Sequence, residues 1–158
     1  MKVKFISIVC LLSLLLSLTA CGGSSNSQVS KSASEIADEI YNTQTFQDTL
    51  NAIDADMLKD YYRIDAADLS DAKVYVSGSF STAEEIAVFQ ASSTDAVATI
   101  QSAIETRLED LSLAFESYVP GEMTKIKDPV LVTKGTTVVL VLADDTASVS
   151  DKVEALLG

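Results

Sequence analysis

Two pairs of adjacent carboxylates, Glu84-Glu85 and Asp144-Asp145, are the residues of this chain best placed to do chemistry. Glu84-Glu85 stands immediately before one apolar run and Asp144-Asp145 immediately after another, so each pair marks the end of an expected strand. If both ends fall at one rim of a sheet, four carboxylates gather there. Such a rim would bind a hard divalent cation through oxygen ligands, or cleave a glycosidic bond with a paired acid and base. The competing reading is two solvated loop ends in a chain with 23 acidic residues. No spacing rule selects these four from the others.

The inventory closes most other routes. There is no histidine, and the only cysteines are Cys10 and Cys21. Histidine-based acid–base catalysis, Ser-His-Asp or Cys-His nucleophilic sites and zinc centres on His or Cys cannot be assembled. Ser70-Asp71-Ala72-Lys73 fits the S-x-x-K pattern of serine acyl-enzymes, which needs the serine and lysine one helical turn apart. Here the tetrapeptide runs into a strand, and residues 134–136 read Lys-Gly-Thr. Asp54-Ala55-Asp56 opens like a calcium loop, but Leu58 and Lys59 stand where that loop needs an oxygen ligand and a glycine. It is a helix cap. No catalytic residue, metal ligand or cofactor is assigned.

One cysteine does carry a chemical signature. Lys2 and Lys4 precede an apolar segment from Phe5 to Ala20, which ends in Leu18-Thr19-Ala20-Cys21. This reads as a secretory leader closing on a lipobox, with residues 1–20 expected as signal peptide and Cys21 as the acylated first residue of the mature chain. The segment is short for a transmembrane span of about 20 apolar residues. Two acyl chains anchor stably where one does not, which implies a resident of the extracytoplasmic face of the cell membrane. Residues 21–34 then form the lipidated cysteine and a Gly/Ser-rich tether with a random-coil reach of about 20 Å. Loss of Lys2 and Lys4 takes the formal charge from −12 to −14. That excludes nucleic acid as a partner, since phosphate contacts need a basic patch.

Residues 35–158 have the size of one domain. Ser34 is the expected cap of a first helix bearing Ile36, Ala37, Ile40 and Tyr41, and Asp54 of a second through Leu58 and Tyr62. Short strands are expected at Val74–Val76 and Ile86–Phe89, joined through Gly78-Ser79-Phe80-Ser81. From Thr94 to Tyr118 the stripe Val97, Ile100, Ile104, Leu108, Leu111 and Phe115 predicts a long helix. Val130–Val132 and Val138–Leu142 form a hairpin about Lys134-Gly135, and Ser148 or Ser150 starts a last helix. The expected fold is α+β: a mostly antiparallel four-stranded sheet of two hairpins, the long helix on one face and the N-terminal helices over the other. Val138–Leu142, apolar on both sides, requires both faces to be covered. Pro120 and Pro129 bracket a connection. Arg107 is expected to pair with Glu105 or Asp110, and Lys134 to be a turn residue. Phe80, at a hairpin tip, either contacts a partner or folds back onto the sheet, and the second is favoured.

Ile36-Ala37-Asp38, Tyr62-Arg63-Ile64-Asp65, Glu84-Glu85-Ile86-Ala87-Val88-Phe89, Phe115-Glu116-Ser117-Tyr118 with Pro120, and Lys134-Gly135 before an apolar strand ending at Asp144-Asp145 occur in this order. In that order they resemble the small Gram-positive lipoproteins that carry the domain of unknown function DUF4358. The resemblance implies an extracytoplasmic lipid-anchored domain and supplies no activity, cofactor or catalytic residue. Arg63 stands where the family pattern has glycine, which puts a left-handed turn there in doubt. The reading that follows is a non-catalytic binding or accessory module, held to the membrane through Cys21 and acting on a protein or envelope polymer. The alternative is a carboxylate-dependent hydrolase or metal-binding enzyme built on Glu84, Glu85, Asp144 and Asp145.

Overall fold

The computed structural model describes residues 29–158; the expected leader, Cys21 and residues 22–28 of the tether lie outside them. The most thoroughly buried of the described strands dictates the architecture. Strand β5 (Thr137–Leu142) has no polar face, and all six of its residues are buried. A strand can hide both faces only inside a sheet with cover on each side. It lies between β3 (Glu85–Ala91) and β4 (Val130–Lys134), in a sheet of order β1-β2-β3-β5-β4 completed by β1 (Leu50–Ala52) and β2 (Leu69–Ser77). Every pairing is antiparallel. Gly135, at φ 59°, turns β4 into β5, as a two-residue hairpin demands.

The α+β class is as expected, but the sheet has five strands where two hairpins predict four. The additional strand, β1, has three residues and one buried side chain, Leu50. So short a segment shows no alternation. It runs along the outer edge of β2, and the Ile53 N–H then donates to the Val74 carbonyl at 3.1 Å. The chain thereby passes from one face of the sheet to the other.

Helix α3 (Thr94–Phe115) covers the first face. Ser93 caps it, accepting the Ala96 N–H at 3.1 Å, and the expected stripe meets Ala87, Phe89, Leu140 and Leu142. Helix α2 (Ala55–Tyr62) joins the same layer through Leu58 and Tyr62. The second face is covered by α1 (Ala33–Thr43) and α5 (Thr146–Leu157), whose Ile36, Ile40, Val149 and Val153 pack on Ile86, Val88, Val139 and Val141. Only one N-terminal helix therefore lies where both were expected. The edge crossing at β1 leaves α2 on the α3 side, and the C-terminal helix fills the vacated ground.

Local signals move two helix starts. A capping box of Ser32 and Glu35 starts α1 at Ala33 and leaves Ser34 inside it. Asp145, accepting the Ser148 N–H at 3.0 Å, starts α5 at Thr146. The doubt over Arg63 is resolved in favour of the turn: its φ of 56° is left-handed without glycine. The cost of that conformation, about 1–2 kcal/mol, is tolerated at a single residue that closes α2, with Nη1 2.7 Å from Asp110 Oδ2.

The described chain enters at the end of the sheet where β3 finishes. Gln90 Nε2 donates to the Lys31 carbonyl at 2.7 Å, and Asp71 Oδ2 accepts the Ala33 N–H at 2.8 Å. The β2–β3 loop and the C-terminal end of α3 lie at the opposite end, about 17 Å away at the rise of an antiparallel strand. Among the described residues no helix is long and apolar enough to cross a membrane.

Ile40 is fully buried in the α1 layer, whereas Met57 on α2 is 40% exposed. Ile40→Ala is expected to lower the free energy of unfolding by about 3 kcal/mol, and Met57→Ala by less than about 0.5 kcal/mol. Urea titration followed by circular dichroism measures both, and near-equal effects would remove α1 from the core.

Candidate functional site

Glu84 and Glu85 introduce β3 and, because successive strand residues point to opposite faces, depart on opposite sides of the sheet. Each is 1% exposed, so neither is a solvated loop end. Glu84 receives the Gln47 N–H on Oε1 at 2.8 Å and the Asp48 N–H on Oε2 at 2.9 Å. Lys125 Nζ stands 3.9 Å from it. That lysine belongs to α4 (Met123–Lys127), a short helix folded inside the Pro120–Pro129 connection. It donates to Glu122 at 2.9 and 3.1 Å and lies 3.2 Å from Asp144 Oδ1. Glu122 in turn accepts the Ala83 N–H at 2.8 Å.

Three carboxylates thus surround one ammonium. Burial is the largest influence on Lys125 and acts to lower its pKa. Hydrogen bonds to Glu122 and Asp144, with the charges of Glu122 and Glu84, outweigh it and raise the value above the ordinary 10.5. The lysine stays charged and fills the position that a cation would take. Among the described residues no group of three or more His, Cys, Asp or Glu could hold a metal ion. Of the four carboxylates read from the sequence, the fold joins Glu84 and Asp144 through Lys125. It sends Glu85 to the other face and uses Asp145 as a helix cap.

Glu85 meets Arg107 and Tyr62 beneath α3. Arg107 donates through Nη2 at 2.5 Å and Nε at 3.3 Å, and the Tyr62 hydroxyl donates to the same carboxylate. Burial first, and then the charge of Glu85, push the Tyr62 pKa well above 10.0. Arg107 therefore does not pair with Glu105 or Asp110. It follows Ile104 by three residues and precedes Leu111 by four, which puts it on the core stripe facing the sheet. That spacing was the available signal: a cation on a buried stripe requires a carboxylate across from it. The guanidinium also lies 5.0 Å from the Tyr61 ring centre and 5.8 Å from that of Tyr62. Its Nη1 has no hydrogen-bond partner among the described residues.

The same arginine borders a cleft of about 340 Å³ between the β2–β3 hairpin and the C-terminal half of α3. Tyr61, Val76, Leu111 and Phe115 form its walls, with Glu85 and Arg107 at the floor. Phe80 and Tyr118 stand at the mouth, 68% and 85% exposed. Phe80 does not fold back onto the sheet. Its φ of 57° is a left-handed conformation that a phenylalanine rarely adopts, and the surrounding contacts impose it. Asp48 Oδ2 accepts the hydroxyls of Ser77 and Ser79 at 2.5 and 2.6 Å and the Ser79 N–H at 2.9 Å. These bonds hold the Asp48 carboxyl well below the usual range. The Gly78 N–H donates to the Thr49 carbonyl at 3.0 Å. A β-carbon there would lie 2.6 Å from Asn51 Nδ2 and 2.9 Å from that carbonyl, so only glycine allows the approach. Strain persists where neighbours over-determine it, and it concentrates at functional sites.

The cleft and both buried cations fall within one segment that has counterparts in other proteins, with Asp144 one residue past its end. A family model described as a domain of unknown function, DUF4358, matches residues 43–143. The chain belongs to the DUF4358 family. The DUF4358 segment holds all five strands, α2, α3, the cleft and both buried cations, while α5 and nearly all of α1 lie outside it. Among curated proteins and among solved structures nothing matches the chain.

Phe80→Gly is expected to stabilise the DUF4358 domain by about 1 kcal/mol, because it relieves a left-handed residue whose ring packs little. Thermal melting tests this, and a lower melting temperature would mean that the ring supports the fold. The alkaline limb offers a second test. Tyr62 and Lys125 are raised as described, and Tyr75 is raised to about 12 by burial and its hydrogen bond to Asp38. A raised folded pKa gives stability that is complete below the unfolded value and is lost as pH climbs past it. Stability should therefore fall from about pH 10 upward. Tyr62→Phe should cost about 1.5–3 kcal/mol at neutral pH and make that fall shallower. Urea melts from pH 7 to 11 would refute the assignment if both proteins lost stability in parallel.

Proposed function

We propose that this chain is a lipid-tethered, non-catalytic binding module on the extracytoplasmic face of the cell membrane, and that the cleft beneath Phe80 and Tyr118 is its recognition site. Phe80 carries the reading. An exposed aromatic held at φ 57° by the Asp48 clasp does nothing for the core, whereas a rigid aromatic lip over an apolar cleft suits recognition. The sequence Leu18-Thr19-Ala20-Cys21 supports the tether. The entry of the chain at the far end of the sheet keeps the cleft clear of the point of attachment and accessible to a protein or envelope polymer. Glycosidic hydrolysis needs two carboxyl groups free to reach substrate. Glu84 and Glu85 are instead engaged by backbone N–H groups, Lys125, Arg107 and Tyr62, so the geometry favours binding.

Crosslinking in intact cells tests both halves of the proposal. The wild-type protein should capture a specific species that Phe80→Ala loses, and a fatty-acid analogue should label wild type but not Cys21→Ser. Equal capture by Phe80→Ala would discard the cleft as the recognition site. Equal labelling of Cys21→Ser would discard the anchor.

A further inference from the structure

We infer that the cleft takes an uncharged peptide segment, with one large apolar side chain entering between Phe80 and Tyr118 and an adjacent backbone carbonyl accepting from Arg107 Nη1. The inference rests on the binding-module reading and names its ligand class. Size is the first constraint. A cleft of about 340 Å³ sits at the small end of ligand sites, which span roughly 300–1,000 Å³. It holds one side chain with its flanking backbone.

Chemistry is the second constraint. The walls are Val76, Leu111, Phe115 and Tyr61, and of the hydroxyl-bearing residues that line the cleft Ser77 is committed to Asp48 and Thr82 to Glu84, which leaves Tyr61 and Tyr118. A sugar would bury more hydroxyls than these groups can satisfy, and each unpaired one is costly. An apolar side chain meets no such penalty. The floor nevertheless offers one strong donor, because Glu85 occupies Nη2 and Nε of Arg107 and leaves Nη1 unspent. No side-chain nitrogen of the described residues is both buried and without a partner, so Nη1 is open to water and to a ligand acceptor that displaces it.

Charge then selects the acceptor. Glu85 already neutralises Arg107, and the whole chain carries −12. A ligand carboxylate would face that field, whereas a peptide carbonyl accepts the same hydrogen bond without the repulsion. The lip is also fixed before binding, so ordering it costs the complex little.

The test is a ¹H–¹⁵N titration of the full-length Cys21→Ser chain with N-acetylphenylalanine amide. Saturable shifts are expected at residues 79–82, Ala114, Tyr118 and the Arg107 Nε–H. N-acetylphenylalanine, which differs by a free carboxylate, should bind about tenfold more weakly, and Arg107→Lys should weaken the amide by a similar factor. Phe80→Ala removes only an exposed ring and should abolish saturation. A carboxylate that binds at least as tightly as the amide would overturn the inference. So would an N-acetylglucosamine trimer that shifts these residues while the amide leaves them still. If Phe80-dependent capture in cells persists in either case, the site stands and the ligand class is wrong. If capture is absent as well, the binding-module reading fails with it.

Discussion

Burying a charge is expensive unless a partner of opposite sign comes with it, and β3 begins by burying two in succession. Because Glu84 and Glu85 leave on opposite faces, each needs its own cation from a different part of the chain. Lys125 arrives on a short helix inside the Pro120–Pro129 connection, and Arg107 from the middle of α3. Glu84 also gathers the backbone at Gln47 and Asp48, and Glu122 gathers Ala83. Four segments distant in sequence thus converge on one end of the sheet. The clasp that fixes Phe80 is built on the same Asp48 whose N–H is held by Glu84, so the buried charges and the exposed lip form one connected structure.

Arg107 belongs to both. Two of its nitrogens satisfy Glu85 within the core, its flat face covers Tyr61, and its remaining edge borders the cleft. The segment matched by the family model contains this whole arrangement, whereas α5 and nearly all of α1 lie beyond its limits. Those helices provide the cover that β5 requires on its second face.

What the sequence made legible was local. The stripe from Val97 to Phe115 placed α3, Gly135 placed the β4–β5 turn, and the two-sided apolar run at Val138–Leu142 demanded two covering layers, which are present. The S-x-x-K tetrapeptide lies in extended β2, as its neighbours indicated. Pairing and sidedness were not legible. The three residues of β1 are too few to show a period, so the crossing that carries α2 to the other face left no mark. The partners of Arg107, Asp110 and Glu85 are 22 or more residues away, and nearest-neighbour charge rules choose wrongly over such separations. Glu84-Glu85 resembled a solvated loop end because acidic pairs are common on surfaces. Extending the parity of Ile86–Phe89 back by two residues would have pointed both side chains inward. At Phe80 composition marked a turn, but the sign of φ follows from contacts to Asp48 and Thr49 that only the folded chain brings together.

The opposed positions of chain entry and aromatic lip have a mechanical consequence. A pull exerted between Val29 and Phe80 runs lengthwise along β2 and β3, parallel to the strands. Because Phe80 lies in the turn that joins these two strands, both are drawn the same way, and the load falls on the packing of α1 against them. Tension between the chain entry and the lip is therefore resisted by the whole buried face of α1, from Ala33 to Ile40, and not by the rungs between β2 and β3.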